Sequence, residues 1–205
     1  MAAKEAEFVE PEHTRRIRRD PETTRALILD AAERLMVSEG YAAVSTRRIA
    51  QEIGLNAATI HYYYPATDDL FIALHARMTE RSTADLDAIL AAGDPLRALW
   101  EFQSNWAHSA LGVEFIALSN HRKSLQPVLA EATGRARALQ EAAVRRVAET
   151  APVLPDVVSP LALTTILVAI TRTLANEERV GITTGHEDVR KAVDWVLTVV
   201  SQGKG

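Results

Sequence analysis

Residues 45–70 constrain the fold most, because they have the pattern of two short helices joined by a tight turn. Ser45 is a good N-cap, Gly54 makes the turn, and Asn56 can cap the second helix. Pro65 ends that helix, since proline removes a backbone hydrogen bond from a helix interior. This arrangement predicts a helix-turn-helix, in which a short second helix can enter a groove of DNA.

Outside this segment, apolar residues recur at helical spacing, and no strand-like alternation appears between turn signals. Hydrophobic residues make up 47% of the 205 residues and aromatic residues only 5%, which favours helices packed on helices. We therefore expect an all-α protein of about nine helices, three in an N-terminal head and six in a C-terminal body. The predicted regions are a disordered arm at 1–20, the head at 21–66 and the body at 67–205.

Caps and breakers predict where the individual helices end. The first helix should begin near Asp20–Pro21 and end at Gly40, and Thr67 should cap a long helix from Asp68 to about Leu90. Later helices are predicted over residues 95–110, 113–124, 126–150 and 160–180, and from a capping box at 184–187 to residue 201.

Composition excludes several classes of site. The chain has no cysteine, which excludes disulfides, thiolate metal sites and a cysteine nucleophile. Its most apolar run, residues 161–175, is too short and too polar to span a membrane. The first residues are acidic and lack an apolar signal core. We expect a soluble, cytoplasmic protein without a membrane partner.

Charge is distributed unevenly along the chain. The net charge is −4, but residues 13–65 carry a net charge of +2, because four arginines lie at positions 15, 16, 18 and 19. One interpretation of this run is a disordered, solvated tail. The other is a basic arm that lies along phosphates or in a minor groove. The sequence leaves both open.

A helix that reads DNA needs a small tip, a packed anchor behind it and donors to phosphate beside it. The expected tip is Asn56, Ala57, Ala58 and Thr59, and the expected anchor is Ile49, Ile53, Leu55 and Ile60. The candidate donors are Ser45, Thr46, Arg47, Arg48, His61, Tyr62, Tyr63 and Thr67. Alternatively, Tyr62, Tyr63 and Tyr64 are core aromatics, and at least Tyr64 should be. His61 could be only a surface or capping residue, and Arg47 and Arg48 only solvated.

Residues 24–70 resemble the DNA-binding head of the TetR family of one-component bacterial regulators. The family pattern has a helix ending in glycine and an aromatic residue, then Thr-(Thr/Val)-Arg-x-Ile-Ala and Gly-Val-Ser. A small-residue tip, Leu-Tyr-x-(Tyr/His)-Phe and Lys-Glu-x-Leu follow. The corresponding residues here are 40–41, 45–50, 54–56, 59–64 and 68–70. The match covers roughly a quarter of the chain.

The resemblance implies a homodimer formed through the last two helices, a palindromic double-stranded DNA site and a small-molecule effector in the body. Repression is the family's usual outcome, although activation is possible. Three residues depart from the pattern. Ala57 and Thr67 stand where a lysine is common, and His61 stands where a tyrosine is frequent. We therefore expect weaker attraction of the head itself for phosphate.

The resemblance also implies a ligand cavity in the body, and some residues fit such a cavity. On the helix from Pro95, an apolar stripe is interrupted only by Gln103, and a buried glutamine needs a partner. The candidate ligand-binding residues are Trp100, Gln103, Trp106, Phe115 and His121. They predict a medium-sized, mostly hydrophobic ligand. The alternative is a satisfied core glutamine and a histidine at the edge of the core.

Apolar residues at helical spacing line the last two helices and exceed what one body needs. The candidate dimer-interface residues are Leu163, Leu167, Ile170, Leu174, Val189, Val193, Val196 and Val200. The alternative is that these faces close the core of the monomer.

No constellation of catalytic residues is recognisable, so we expect neither an enzyme nor a bound metal or cofactor. The main alternative to a regulator is a helical ligand-binding or protein-interaction domain that does not bind an operator. A helical-bundle enzyme would require titratable groups that converge in the body.

Overall fold

The computed structural model describes residues 20–90, 93–150 and 158–202, and these residues contain nine α-helices and no strand. The helices are α1 (Pro21–Glu39), α2 (Thr46–Ile53), α3 (Ala57–Tyr63), α4 (Thr67–Leu90), α5 (Pro95–His108), α6 (Ala110–His121), α7 (Gln126–Thr150), α8 (Pro160–Arg179) and α9 (His186–Gln202). Short 3-10 turns cover Tyr41–Ala43 and Lys123–Leu125. The all-α prediction is confirmed. The arginine-rich arm lies outside the described residues.

The predicted start of α1 and the predicted caps of α2 and α3 are confirmed. The Asp20 carboxylate accepts hydrogen bonds from the backbone N–H groups of Glu22 and Thr23 at the start of α1. The Ser45 hydroxyl and the Asn56 side chain do the same for α2 and α3. Gly54 ends α2 with a φ of 65°, a left-handed conformation that glycine adopts without strain.

Three predicted helix starts were wrong. Thr67 is the first residue of α4 rather than its cap, and the Asp69 carboxylate accepts from the backbone N–H of Ala66. Helix α6 begins at Ala110 instead of residue 113, because Ser109 leaves the helical conformation and its hydroxyl caps the new helix. Helix α9 begins at His186, after Gly185, instead of at a capping box headed by residue 184.

Two apolar cores organise the helices. The first core joins α1, α2 and α3 to the first turns of α4 and to α6. The second core joins the later turns of α4 to α5, α7, α8 and α9. Helix α4 is therefore shared, with Leu70, Phe71 and Leu74 in the first core and Leu86 in the second. No described helix is long and apolar enough to cross a membrane.

Polar contacts also fasten the head to α4 and α6. The Glu114 carboxylate on α6 accepts a hydrogen bond from the backbone N–H of Tyr41 at 2.7 Å. Arg77 on α4 pairs with Asp30 at 2.6 Å and with Glu33 at 2.5 Å, both on α1. A displacement of α4 would therefore be transmitted to α1, and a displacement of α6 to the 3-10 turn that follows α1.

Candidate functional site

Helix α3 presents its tip to solvent and buries its opposite side. Ile60 is fully buried in the first core, together with Ile49 of α2. Ala58 and His61 are exposed, Ala57 is half-buried, and Tyr62 is 80% exposed. The small tip therefore faces outward, as a helix that reads a groove requires. The predicted core position of Tyr64 is confirmed, since it is 7% exposed.

Several predicted DNA-contact side chains already have partners within the head. The Ser45 and Asn56 side chains are used as caps, at 3.2 Å to the N–H of Arg48 and 2.9 Å to the N–H of Ala58. The Thr46 hydroxyl lies 3.4 Å from Nε2 of His61, which links α2 to α3. The Ser45 and Asn56 contacts satisfy backbone N–H groups at the helix starts, whereas the contact between Thr46 and His61 joins α2 to α3.

The arginines and tyrosines beside α3 differ in their freedom. Arg48 bridges Glu39 at 2.8 Å and Glu52 at 3.1 Å, and the hydrogen bond that it donates to Glu39 raises the pKa of Arg48. Arg47 is exposed and makes no ion pair with a described residue, so its charge is available to phosphate. The Tyr63 ring packs edge-to-face on Tyr62, with centroids 5.2 Å apart. Thr67 is half-buried at the start of α4.

A second candidate site is a cavity in the body between α4, α5, α7 and α8. It encloses about 650 Å³ of free space, its open mouth included. Its lining residues are His75, Met78, Thr79, Ser82, Thr83, Leu86, Phe102, Gln103, Trp106, Ala132, Thr133, Ala136, Arg137, Gln140, Val168 and Arg172. Among the described residues, no cluster of histidines and carboxylates is arranged to hold a metal ion.

Comparison with known proteins agrees with this geometry. Residues 28–74, which span most of α1 through the first turns of α4, match the model of bacterial regulatory proteins of the tetR family. This segment is the DNA-binding segment of the TetR family. The "HTH-type transcriptional repressor Rv1474c" of Mycobacterium tuberculosis is 38% identical over 60 residues, which are 29% of this chain and 32% of the repressor.

Solved structures extend the likeness to the body, at the level of the fold. A TetR transcription regulator from Haloarcula marismortui covers 89% of this chain and 97% of its own, with 19% identity and a TM-score of 0.68. Salmonella enterica GusR covers 90% and 98%, with 18% identity and a TM-score of 0.69. A putative transcriptional regulator from Saccharomonospora viridis, solved in complex with choline, covers 88% and 95%, with 22% identity and a TM-score of 0.68.

The cavity brings together only two of the five predicted ligand-binding residues. Gln103 and Trp106 line it. Phe115 is buried one layer away in the first core, with its ring 5.0 Å from that of His75. Trp100 packs against the second core, and the exposed His121 stacks on Tyr41 at 5.9 Å. Phe115 and His121 lie elsewhere because α6 packs against the head, and Trp100 does because its side of α5 packs against the second core.

Five of the eight predicted dimer residues are buried within the protomer itself, where they join the monomer core or its edge. These are Leu163, Leu167, Leu174, Val193 and Val200. Ile170, Val189 and Val196 are half-buried against the same core. The alternative interpretation, that these faces close the core, therefore fits the described structure for these positions. The surface that α8 and α9 leave exposed is a different one.

The sequence interpretation missed most of the cavity. His75, Gln140, Arg137 and Arg172 come from α4, α7 and α8, and none of them stands in a local motif. One signal was available, namely arginine within the otherwise apolar run at 161–175. Arginine is rarely placed among apolar residues without a partner or a function, so this residue was a candidate functional position.

Proposed function

We propose that this TetR-family chain is a one-component transcriptional repressor that binds a palindromic operator as a homodimer and is released by a small molecule. The outward-facing tip of α3 carries the proposal. Ala57 and Ala58 lack groups for a bidentate hydrogen bond, so readout there would use methyl contact with thymine or close backbone approach. Arg47, Tyr62 and the hydroxyl groups beside the tip would contact phosphate.

The proposed dimer uses the exposed surface of α8 and α9. Eight large hydrophobic residues are exposed in the described part of the chain, and five of them lie in this region. They are Leu161, Ile166, Val180, Ile182 and Trp195. On α9, Ala192 and Val199 flank Trp195 at helical spacing. Exposed apolar surface of this kind marks an interaction site, and a two-fold axis would bury the same residues of both copies.

A dimer would hold two copies of α3 about 34–36 Å apart, one turn of the double helix, on successive faces of a palindrome. We assign residues 21–66 to the DNA-binding domain and 67–205 to the ligand-binding and dimerisation domain. A bacterial regulator that acts on DNA in this way would work in the cytoplasm. The name of the mycobacterial relative supports repression as the outcome.

Release would pass through two contacts between the cavity and the head. Helix α4 runs without a break from the first core to the cavity, where His75 and Met78 line the wall. His75 also touches Phe115, next to the Glu114 that holds Tyr41. A ligand that prefers another position of His75 would favour another head spacing, by no more than its own preference between the two states.

Selection of bound fragments from a random duplex library tests the proposal. We expect enrichment of a palindrome with half-sites about 10 base pairs apart. Ala58→Glu should abolish enrichment, because it places a carboxylate at the groove without disturbing the core. Ala142→Glu makes the same change at an exposed position of α7 and should bind as the wild type does.

No enrichment by the folded wild-type dimer would favour the alternative, a ligand-binding or protein-interaction domain without an operator. Normal binding by Ala58→Glu would contradict the assignment of α3 as the reading helix.

A further inference from the structure

Two arginines at the mouth of the cavity lack an acidic partner in the described part of the chain. Half-buried Arg137 on α7 donates to the Thr165 hydroxyl at 3.1 Å, and exposed Arg172 on α8 lies nearby. The surrounding protein, and secondly the charge of Arg137, lower the pKa of Arg172 below its ordinary value. None of the sixteen lining residues is a carboxylate. A guanidinium pair without a counter-charge therefore faces the cavity.

Two buried amides point to the same cavity. Gln103 on α5 and Gln140 on α7 are each 5% exposed, and both line the cavity wall. Neither side chain forms a hydrogen bond with another described residue, and neither amide is fully enclosed by protein. An amide buried in this way is unfavourable unless something completes its hydrogen bonds. Both amides therefore have donors and acceptors available to a ligand.

The remaining polar groups add no negative charge. His75 is 6% exposed, and burial, followed by the charge of Arg135, lowers its pKa, so the imidazole is neutral near pH 7. Carboxylates occur in adjoining grooves, where Glu80 and Glu131 lie between α4 and α7 and Asp85 lies beside Met78, Ser82 and Trp106. Glu131 is already paired with Arg135 at 2.5 Å. The other cavity walls are largely apolar and include Phe102 and Trp106.

We infer that the cavity binds a small organic carboxylate, with its anionic group on Arg137 and Arg172 and its apolar body against the stacked rings of Phe102 and Trp106. Gln103 and Gln140 would complete the polar contacts. A planar guanidinium suits a carboxylate because it can donate two parallel hydrogen bonds. A cationic ligand such as choline would instead meet two like charges. The inference rests on the proposed function in one respect, namely that this carboxylate is the effector.

Ligand binding to the free protein tests the site without DNA. Thermal shift and calorimetry would compare carboxylates with uncharged and cationic counterparts of the same body. The probes are octanoate against 1-octanol and octylammonium, and phenylacetate against 2-phenylethanol and 2-phenylethylammonium. Inorganic phosphate and choline complete the set. At least one carboxylate should bind about tenfold or more tightly than its alcohol, the gain typical of a charge-assisted pair.

The variants separate a binding role from a structural one. Arg137→Met with Arg172→Met should remove the preference for the carboxylate and raise the melting temperature of the free protein, because two repelling cations are lost. Arg172→Lys keeps the charge without the planar fork and should retain part of the affinity. If the double variant misfolds, Gln103→Leu is used instead, and it should weaken the binding of the same carboxylate.

Each outcome has one meaning. Equal binding of carboxylate and alcohol, tighter binding of the ammonium probes or choline, or binding of phosphate alone would overturn the inference. A carboxylate that binds through the arginines but leaves operator affinity unchanged would support the site and contradict release as part of the proposed function. Operator binding with no carboxylate binding would overturn the inference and leave DNA binding intact.

Discussion

The head and the body place their candidate sites in opposite ways. In the head, every proposed DNA contact lies between residues 45 and 67, and the small tip of α3 faces outward. In the body, the cavity draws on four helices, from His75 on α4 to Arg172 on α8. A site made by one continuous segment can be recognised from local spacing. A site made by convergence of distant helices needs the fold.

Polar side chains also have different roles in the two regions. In the head, Ser45 and Asn56 cap helices and Arg48 bridges two glutamates, so the polar groups stabilise the geometry. In the cavity, Gln103 and Gln140 are buried without partners in the described structure. Polar groups that bond within the protein keep the head in a fixed shape, whose outer surface would contact DNA. Polar groups that lack a partner instead favour the entry of a ligand that bonds to them.

The largest expected effect would come from an acidic residue on the exposed surface of the last helix. Trp195 is 67% exposed, and Trp195→Asp would place two carboxylates at a two-fold interface. We expect a folded monomer with operator affinity reduced about 100-fold or more, because half of the phosphate contacts are lost. Light-scattering mass and anisotropy titration would measure the two effects.

Val193→Arg is the matched control on the same helix. Val193 is 5% exposed and belongs to the second core, so a cation there should unfold the body before it separates a dimer. Circular dichroism would distinguish unfolding from dissociation. A dimeric Trp195→Asp, or a folded monomeric Val193→Arg, would return the interface to the face that was predicted from the sequence.

The two faces of α9 show what the sequence alone could not predict. Periodicity identified an apolar face on α9, but that face contains Val193 and closes the protomer's own core. The exposed Trp195 lies on the opposite side of the helix and is flanked by small residues. A pattern identifies which residues share a face. It does not identify which neighbour covers that face.

In the head, prediction succeeded because each signal acts over a few residues. Asp20, Ser45 and Gly54 determine helix ends through bonds to groups within four residues. The failures were also local, since Ser109 caps α6 earlier than predicted and Thr67 already lies within α4, where Asp69 accepts from the N–H of Ala66. The cavity arginines were missed because their significance lies in a mutual approach across α7 and α8.

A smaller effect is expected at the junction between the head and the body. The Arg77 side chain is 17% exposed and joins α4 to Asp30 and Glu33 of α1. Arg77→Met should lower the free energy of unfolding by about 1–3 kcal/mol, because Asp30 loses its ion-pair partner and Glu33 keeps only Arg81 at 3.3 Å. Urea denaturation would measure the loss.

Arg97→Met supplies the comparison within the body. Arg97 pairs with Asp194 at 2.6 Å, but the two side chains are 40% and 61% exposed. Arg97→Met should lower the free energy of unfolding by less than about 1 kcal/mol, since water screens exposed ion pairs. Equal losses at Arg77 and Arg97 would contradict a special role for the α1–α4 junction.

The smallest effect should be a pH dependence at the corner between α8 and α9. Glu178 accepts from His108 at 2.7 Å, from His186 at 3.2 Å and from Arg190, and Glu177 accepts from His186 at 2.7 Å. The hydrogen bond to His108, followed by those to Arg190 and His186, lowers the pKa of Glu178 to about 2. Hydrogen bonds to Glu178 and to Glu177 raise the pKa values of His108 and His186, respectively.

The signs of these shifts define the pH window. Raised histidine pKa values stabilise the fold below pH 6.5, and this stabilisation is lost as pH rises through the folded-state values. The lowered pKa of Glu178 stabilises the fold above pH 4.5 and is lost as pH falls towards about 2. His186→Asn should therefore lose most stability, relative to the wild type, between those two limits. His108→Asn keeps the bonds of His186 and should give an intermediate profile. Melting temperatures measured from pH 4 to 9 that fall in parallel for all three proteins would show that this corner does not sense pH.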